Sequence, residues 1–125
     1  MSANILVVDD EPDIRELFRS ILVNEGHTVV TFDRGHGLIE KIRSVKPDLI
    51  LLDIMLPGPD GHESAASLEQ TDDLSQIPII MVTALKDSQS FFSRFAQVKG
   101  FIYKPVGAEE LIGKVTETLG EIPKA

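Results

Sequence analysis

Short apolar runs alternate with amphipathic segments along the whole chain. The runs are rich in β-branched or aromatic residues and are bounded by polar or turn-forming residues, a pattern typical of buried strands. Gly26 follows the first amphipathic segment, at a position where glycine commonly ends a helix. We therefore expect five strands, at residues 5–8, 28–32, 49–52, 77–82 and 101–103.

The segments between these runs carry apolar residues at helical spacing. The first has them at i, i+3, i+4, i+7 and i+8, whereas the third, near residues 62–74, has only a shallow apolar stripe. Five helices are therefore predicted. Their apolar positions are, in chain order, Ile14, Leu17, Phe18, Ile21 and Leu22; Leu38, Ile42 and Val45; Ala65, Ala66 and Leu68; Phe91, Phe92 and Phe95; and Leu111, Ile112, Val115 and Leu119.

Alternating strands and helices predict an α/β fold, in which a parallel sheet has helices on both faces. Right-handed crossovers leave few topologies, and the common one at this size is the flavodoxin-like (βα)5 doubly wound sheet with strand order 2-1-3-4-5. In that order the ligand crevice lies at the carboxyl ends of strands 1 and 3. The length of 125 residues suits one domain, which we expect to occupy residues 1–125.

Composition narrows the classes of function. The chain has no cysteine, which excludes disulfide and thiol chemistry and fits a reducing, cytoplasmic compartment. Its net charge of −8 would repel nucleic-acid phosphates and anionic membrane surfaces, so we expect neither as a direct partner. No apolar run is long enough to span a bilayer, and the first residues lack the basic region of a signal peptide.

Each inner strand of the predicted sheet is followed by residues that could carry chemistry. Strand 1 is followed by two aspartates, strand 3 by one, strand 4 by a threonine and an alanine, and strand 5 by a lysine. Because the carboxyl ends of parallel strands share one edge of a sheet, these residues should converge on one crevice. They are Asp9, Asp10, Asp53, Thr83, Ala84 and Lys104.

Three carboxylates in one crevice repel one another, by about 4 kcal/mol for two charges roughly 4 Å apart at an effective dielectric near 20. Mg²⁺ would relieve this repulsion, because it prefers hard oxygen ligands and commonly takes one or two carboxylates with phosphate oxygens and water. Lys104 adds a second positive charge that suits a phosphoryl oxygen. A carboxylate nucleophile, a metal, a lysine and a hydroxyl together predict phosphoryl transfer onto an aspartate.

At these residues the chain resembles the receiver domain of two-component response regulators. The matching segments are ILVVDDEPDIR, PDLILLDIMLPGPDG, PIIMVTA and YKP, which occur in this order over nearly the whole chain. Each segment alone is a weak signal, but four of them on the predicted strand ends are specific. The resemblance implies a bacterial phosphorelay protein in which a phosphohistidine, on a histidine kinase or a histidine phosphotransfer protein, phosphorylates Asp53.

The resemblance also implies Mg²⁺ as the cofactor and assigns its ligands. Asp10 would bind the ion directly, and Asp9 largely through water. Asp53 and the backbone carbonyl of Met55 would complete the ligands that the protein supplies.

Three residues would then bind the phosphoryl group. Thr83 would move its hydroxyl to it, the amide of Ala84 would donate a hydrogen bond, and the ammonium group of Lys104 would bind another oxygen. Thr83 and Lys104, together with Asp53, would form the catalytic set. The resemblance further implies a cis peptide bond between Lys104 and Pro105, although cis is the minority form.

Phosphorylation would switch a protein-interaction surface made of the fourth helix, the fifth strand and the fifth helix. Thr83 and Phe101 are the expected switch residues. Phe101 stands where the family usually has a Tyr or Phe, and it lacks a hydroxyl to hydrogen-bond when buried. From strand alternation we place Tyr103, which lies close by, on the other face of the strand.

The output is expected to lie in a downstream protein or an effector domain, because no effector domain fits within residues 1–125. A phosphorylation-dependent dimer is a further expected partner. The chain itself would have only weak self-phosphorylation and self-dephosphorylation activity.

Other protein classes share part of this pattern. A haloacid-dehalogenase-type, Mg²⁺-dependent phosphatase also uses a strand-end aspartate, but it needs a second one two residues later, where this chain has Met55. A flavin-binding flavodoxin needs a Ser/Thr/Gly-rich phosphate loop after strand 1, where this chain has the acidic DDEPD. A degenerate receiver that binds its partner constitutively is a third alternative, although every core site residue is present.

Overall fold

The computed structural model describes residues 2–56, 61–84 and 95–120. Within these ranges, five strands form one parallel sheet in the predicted order, β2-β1-β3-β4-β5. The predicted fourth helix, with Phe91 and Phe92, lies outside the described residues, as do residues 57–60. The elements are β1 Asn4–Val8, α1 Pro12–Asn24, β2 Thr28–Phe32, α2 Leu38–Val45, β3 Leu49–Asp53, α3 Gly61–Glu69, β4 Ile79–Thr83, β5 Val98–Tyr103 and a C-terminal helix, Ala108–Gly120.

The sheet is covered on both faces. Alternate residues of a strand point to opposite faces, so Leu6 and Ile50 pack with α2 and α3, whereas Ile5 and Leu51 pack with α1 and the C-terminal helix. Nearly all residues of the inner strands β1, β3 and β4 are buried, and those of the edge strands β2 and β5 are mostly half-buried. Burial on both faces explains why the inner strands are continuous apolar runs in the sequence.

β4 begins two residues later than the apolar run predicts. Pro78 has no N–H to contribute to a ladder, and the N–H of Ile77 donates to the carbonyl of Leu74 in the preceding turn (3.2 Å). The strand therefore begins at Ile79. The apolar character of Ile77 comes from packing against the core and not from strand pairing.

β5 begins three residues earlier than predicted, at Val98. Val98 pairs with Ile79 and Gly100 pairs with Ile80, so Lys99 is an extra residue between two ladder positions. Such a bulge tolerates a glycine and a lysine in the strand. The apolar pattern does not predict this part of β5, because neither glycine nor lysine favours a strand on its own.

Two other apolar positions are buried outside the helices predicted for them. α3 ends at Glu69, and Leu74 lies in the turn that follows. Phe95, predicted to belong to the fourth helix, is not helical in the structure. Both side chains join the cluster under α2 and α3, so their apolar character reflects the core and not a helical stripe.

Helix α1 buries a narrower face than its apolar stripe suggests. Phe18 and Leu22 are almost completely buried, Ile14 and Ile21 are half-buried, and the Leu17 side chain is 44% exposed. Leu17 lies about a third of a turn from the centre of the buried face, since successive residues are about 100° apart. None of the described helices is both long and apolar enough to cross a bilayer.

Gly26 ends α1 as predicted, with a left-handed φ of +95° and its N–H donating to the Val23 carbonyl (2.9 Å). We expect Gly26→Ala to lower the free energy of unfolding by about 1 kcal/mol, because a Cβ disfavours this backbone conformation. Gly113→Ala, inside the C-terminal helix, should raise it by about 0.5–1 kcal/mol. At either position, an added Cβ would meet no atom of the described residues within 4 Å. Urea denaturation of both variants measures the difference, and changes of equal sign would contradict the assignment.

Candidate functional site

Three carboxylates meet at the carboxyl edge of the sheet. The ligand oxygens of Asp9, Asp10 and Asp53 all lie within 4.8 Å of one another. Asp53 is the last residue of β3 and Asp9 directly follows the neighbouring strand β1; both are buried, whereas Asp10 is exposed. The predicted convergence of these carboxylates is confirmed, and it follows from the adjacency of β1 and β3.

The short link between β1 and α1 holds its acids in place by local hydrogen bonds. The N–H of Glu11 donates to Asp9 Oδ1 (2.9 Å), and Arg15 Nη1 donates to the Asp9 carbonyl (2.8 Å). Pro12 is the first residue of α1. At this position its fixed φ suits a helix, and its lack of an N–H costs no hydrogen bond within the helix. The helix can therefore begin immediately after the acidic residues.

Lys104 provides the positive charge of the pocket. Its Nζ lies 3.0 Å from Asp9 Oδ2, 3.3 Å from Asp53 Oδ2 and 3.2 Å from Glu11 Oε1. Its backbone N–H donates to the Thr83 carbonyl (2.9 Å), which fixes the end of β5 beside β4. The predicted position of Lys104 at this edge is confirmed, but the sequence analysis missed Glu11.

The charges in the pocket do not balance. Burial, followed by repulsion from Asp9, raises the pKa of the Asp53 carboxyl to about 6, although Lys104 and the N–H of Met55 act in the opposite direction. Burial alone would lower the pKa of Lys104, but contacts with Asp9, Asp53 and Glu11 raise it above its ordinary value. The pocket therefore contains more carboxylate groups than one ammonium group can neutralise.

The donor set fits a hard divalent cation. Carboxylate oxygens are the ligands that Mg²⁺ prefers. Asp9 Oδ2 is buried, and among the described residues it has no hydrogen-bond partner apart from the ion-paired ammonium group of Lys104. The N–H of Met55 donates to Asp53 Oδ1 (3.2 Å), and Met55 is 60% exposed. A cation at this position would satisfy the excess negative charge.

Thr83 and Ala84 lie at the same edge. Thr83 is the last residue of β4 and is fully buried, and Ala84, which follows it, is exposed. Their contacts with a phosphoryl group stay a prediction. The Lys104–Pro105 peptide bond is cis, as the resemblance implies.

Phe101 and Tyr103 lie on the same face of β5. Their rings stack with centroids 6.4 Å apart and planes 12° from parallel. Our placement of Tyr103 on the other face was wrong, because residues two apart in a strand share a face. Both rings are half-buried, and Phe101 packs against the cluster under α2 and α3.

Comparison with known proteins gives one consistent result. The sequence matches the response regulator receiver domain family over residues 5–116. Protein PilH of Pseudomonas aeruginosa is 30% identical over 118 residues, which are 94% of this chain and 98% of PilH. The DNA-binding response regulator MtrA of Mycolicibacterium smegmatis is 32% identical over 120 residues, which are 95% of this chain and 51% of MtrA.

The chain thus spans about half the length of several curated relatives that it matches. Among solved structures, the receiver domain of a signal transduction histidine kinase from Syntrophus aciditrophicus has a TM-score of 0.87 at 27% identity, and the match covers 98% of this chain and 94% of that one. The family match decides against the phosphatase and flavodoxin alternatives. The chain belongs to the response regulator receiver domain family.

Proposed function

We propose that this receiver is a phosphorylation-operated switch in which Asp53 accepts a phosphoryl group from a phosphohistidine. The observation that carries the proposal is the contact of Lys104 Nζ with both Asp9 and Asp53 where the carboxylates meet. An ammonium group beside a nucleophilic carboxylate can bind a phosphoryl oxygen once the group has been transferred.

The reaction uses the Asp53 carboxylate as the nucleophile. One of its oxygens bonds to phosphorus while the bond between phosphorus and the donor's imidazole nitrogen breaks. The nitrogen keeps the electron pair and takes up a proton, and Asp53 becomes an acyl phosphate. Lys104 then binds a phosphoryl oxygen, which lowers the energy of the added negative charge.

Receiver domains bind Mg²⁺ at this acidic site, and bound there the ion offsets the charge of the carboxylates and of the transferring group. We assign Asp10, Asp53 and the Met55 carbonyl as direct ligands, and Asp9 as a ligand mainly through water. The exposure of Asp10 supports this assignment, because it leaves that carboxylate open to an incoming cation.

Phosphorylation adds nearly two negative charges to the pocket. In our proposal Thr83 moves its hydroxyl toward them, Ala84 donates its amide, and Phe101 changes its packing. The surface made of the predicted fourth helix, β5 and the C-terminal helix then changes its affinity for a downstream protein or effector domain. The position of Phe101 supports this role, because the ring is half-buried on β5, three residues before Lys104.

The upstream partner is proposed to be a histidine kinase or a histidine phosphotransfer protein, and the location cytoplasmic. A phosphorylation-dependent dimer through the switch surface is part of the same proposal. The DNA binding named for MtrA is not carried over, because the net charge of −8 opposes contact with nucleic-acid phosphates.

Intact mass spectrometry tests the proposal directly. After incubation with acetyl phosphate or phosphoramidate and Mg²⁺, the protein should gain the mass of one phosphoryl group, and a chelator should prevent the gain. Asp53→Ala should show no gain, because it removes the nucleophile. Asp33→Ala is the matched control, since Asp33 directly follows the edge strand β2 and pairs with Arg34. Phosphoryl addition to Asp53→Ala would move the nucleophile elsewhere, and no addition to the unmodified sequence would favour a degenerate receiver.

A further inference from the structure

Glu11 contacts the ammonium group that the proposed phosphoryl transfer uses. Its Oε1 lies 3.2 Å from Lys104 Nζ, beside the contacts of that nitrogen with Asp9 and Asp53. The Asp9 and Asp53 side chains are only 2% and 4% exposed, whereas that of Glu11 is 59% exposed. Two of these carboxylates are therefore held in buried positions beside the sheet, and the third belongs to an exposed side chain.

The Glu11 side chain can leave this contact without disturbing the loop. Its backbone N–H is held by Asp9 Oδ1, so the start of the side chain stays beside the pocket whatever its carboxylate does. Exposed ion pairs are weak and are screened by salt. A phosphoryl oxygen bound to Asp53 would compete with the Glu11 carboxylate for the same nitrogen.

We propose that Glu11 is a positioning residue that engages Lys104 in the resting domain and gives it up when a phosphoryl group arrives. The inference rests on the proposed function and adds a resting counter-ion for Lys104. Glu11 also places an exposed negative charge beside the pocket, where it would repel an anionic donor. Removing the Glu11 charge would free Lys104 and would also weaken the repulsion of an incoming anion. Both effects should strengthen the binding of anions at the site.

The test compares Glu11→Gln, Glu11→Asp and Glu16→Gln with the unmodified protein. Glu16 is a matched control because its carboxylate is 67% exposed and pairs with Arg19 at 3.0 Å on α1, so its loss changes the net charge equally. The measurements are the affinity for beryllium fluoride, an analogue of the phosphoryl group, at saturating Mg²⁺ and the initial rate of phosphorylation by acetyl phosphate.

Glu11→Gln should raise both quantities about two- to fivefold at low ionic strength, and the gain should shrink as salt is added. Glu11→Asp keeps the charge but shortens the side chain by one methylene, so it loses the contact and should show most of the same gain. Glu16→Gln should change both quantities by less than about 1.5-fold.

Two results would overturn the inference: Glu11→Gln behaving like Glu16→Gln, or Glu11→Asp behaving like the unmodified protein. The second would mean that Glu11 acts through its charge alone and not through contact with Lys104. Either result leaves the proposed function intact if the unmodified protein is phosphorylated on Asp53. Failure of that phosphorylation would instead remove the proposed function, and this inference with it.

Discussion

Lys104→Met is expected to slow phosphorylation by acetyl phosphate about 100- to 1,000-fold and, in the opposite direction, to strengthen Mg²⁺ binding. The rate falls because Lys104 supplies a positively charged donor beside Asp53, where phosphoryl charge develops, and loss of one such donor typically has an effect of this size. Mg²⁺ binding strengthens because Asp9 and Asp53 lose the cation that competes with the metal for their oxygens.

Both quantities can be measured on one protein sample, the rate by intact mass against time and the metal affinity by calorimetric titration. Lys99→Met is the matched control, because Lys99 lies on the same strand with an exposed side chain at the bulge. It should leave both quantities nearly unchanged. Parallel weakening of the rate and of metal binding in Lys104→Met would indicate a disordered pocket and would contradict the role proposed for this lysine.

Asp53→Asn is expected to raise the free energy of unfolding of the metal-free protein by about 2–3 kcal/mol at pH 8 and to change it little near pH 4. The pKa of Asp53 rises from 3.8 to about 6 on folding, chiefly through burial and then repulsion by Asp9. Between these values the folded protein holds a proton that the unfolded chain has lost, so stability falls as the pH rises through this window. A shift of this size corresponds to roughly 3 kcal/mol, and asparagine avoids most of that loss.

Urea denaturation with a chelator, at pH 4 and at pH 8, measures this difference. Asp33→Asn is the control, because the carboxylate of Asp33 forms an exposed ion pair with Arg34, and its replacement should change stability by less than about 1 kcal/mol at either pH. Added Mg²⁺ should stabilise the unmodified protein more than Asp53→Asn, since a ligand stabilises the state that binds it. A destabilised Asp53→Asn at pH 8 would show that the Lys104 contact outweighs burial and repulsion.

The sequence was sufficient to predict the fold and the convergence of the carboxylates and Lys104. Both predictions depend on where the strands lie and where they end. Apolar runs buried on both faces mark the inner strands, and the order of parallel strands then decides which end residues meet. Asp9 and Asp53 follow from this argument alone, since β1 and β3 are neighbours. The position of Lys104 follows from it as well, although only the structure gives its separate distances to the two carboxylates.

What the sequence could not supply are features set by tertiary contacts. Glu11 is the third acid in a row and looks like an ordinary residue before a helix, and only the position of Lys104 Nζ gives it a partner. The early start of β5 is imposed by pairing with β4, across a bulge at Lys99. The exposure of Leu17 depends on which side of α1 meets the sheet, and the width of an apolar stripe does not determine that.

Phe101 stacks on Tyr103, the only tyrosine of a protein that has no tryptophan. The near-ultraviolet fluorescence of the native protein therefore comes almost entirely from one ring, adjacent in the chain to Lys104. A displacement of Phe101 or a new charge in the neighbouring pocket changes the surroundings of that ring and hence its emission. We therefore expect Tyr103 to act as an intrinsic optical reporter, with which metal binding and the proposed phosphorylation could be followed in real time without a label.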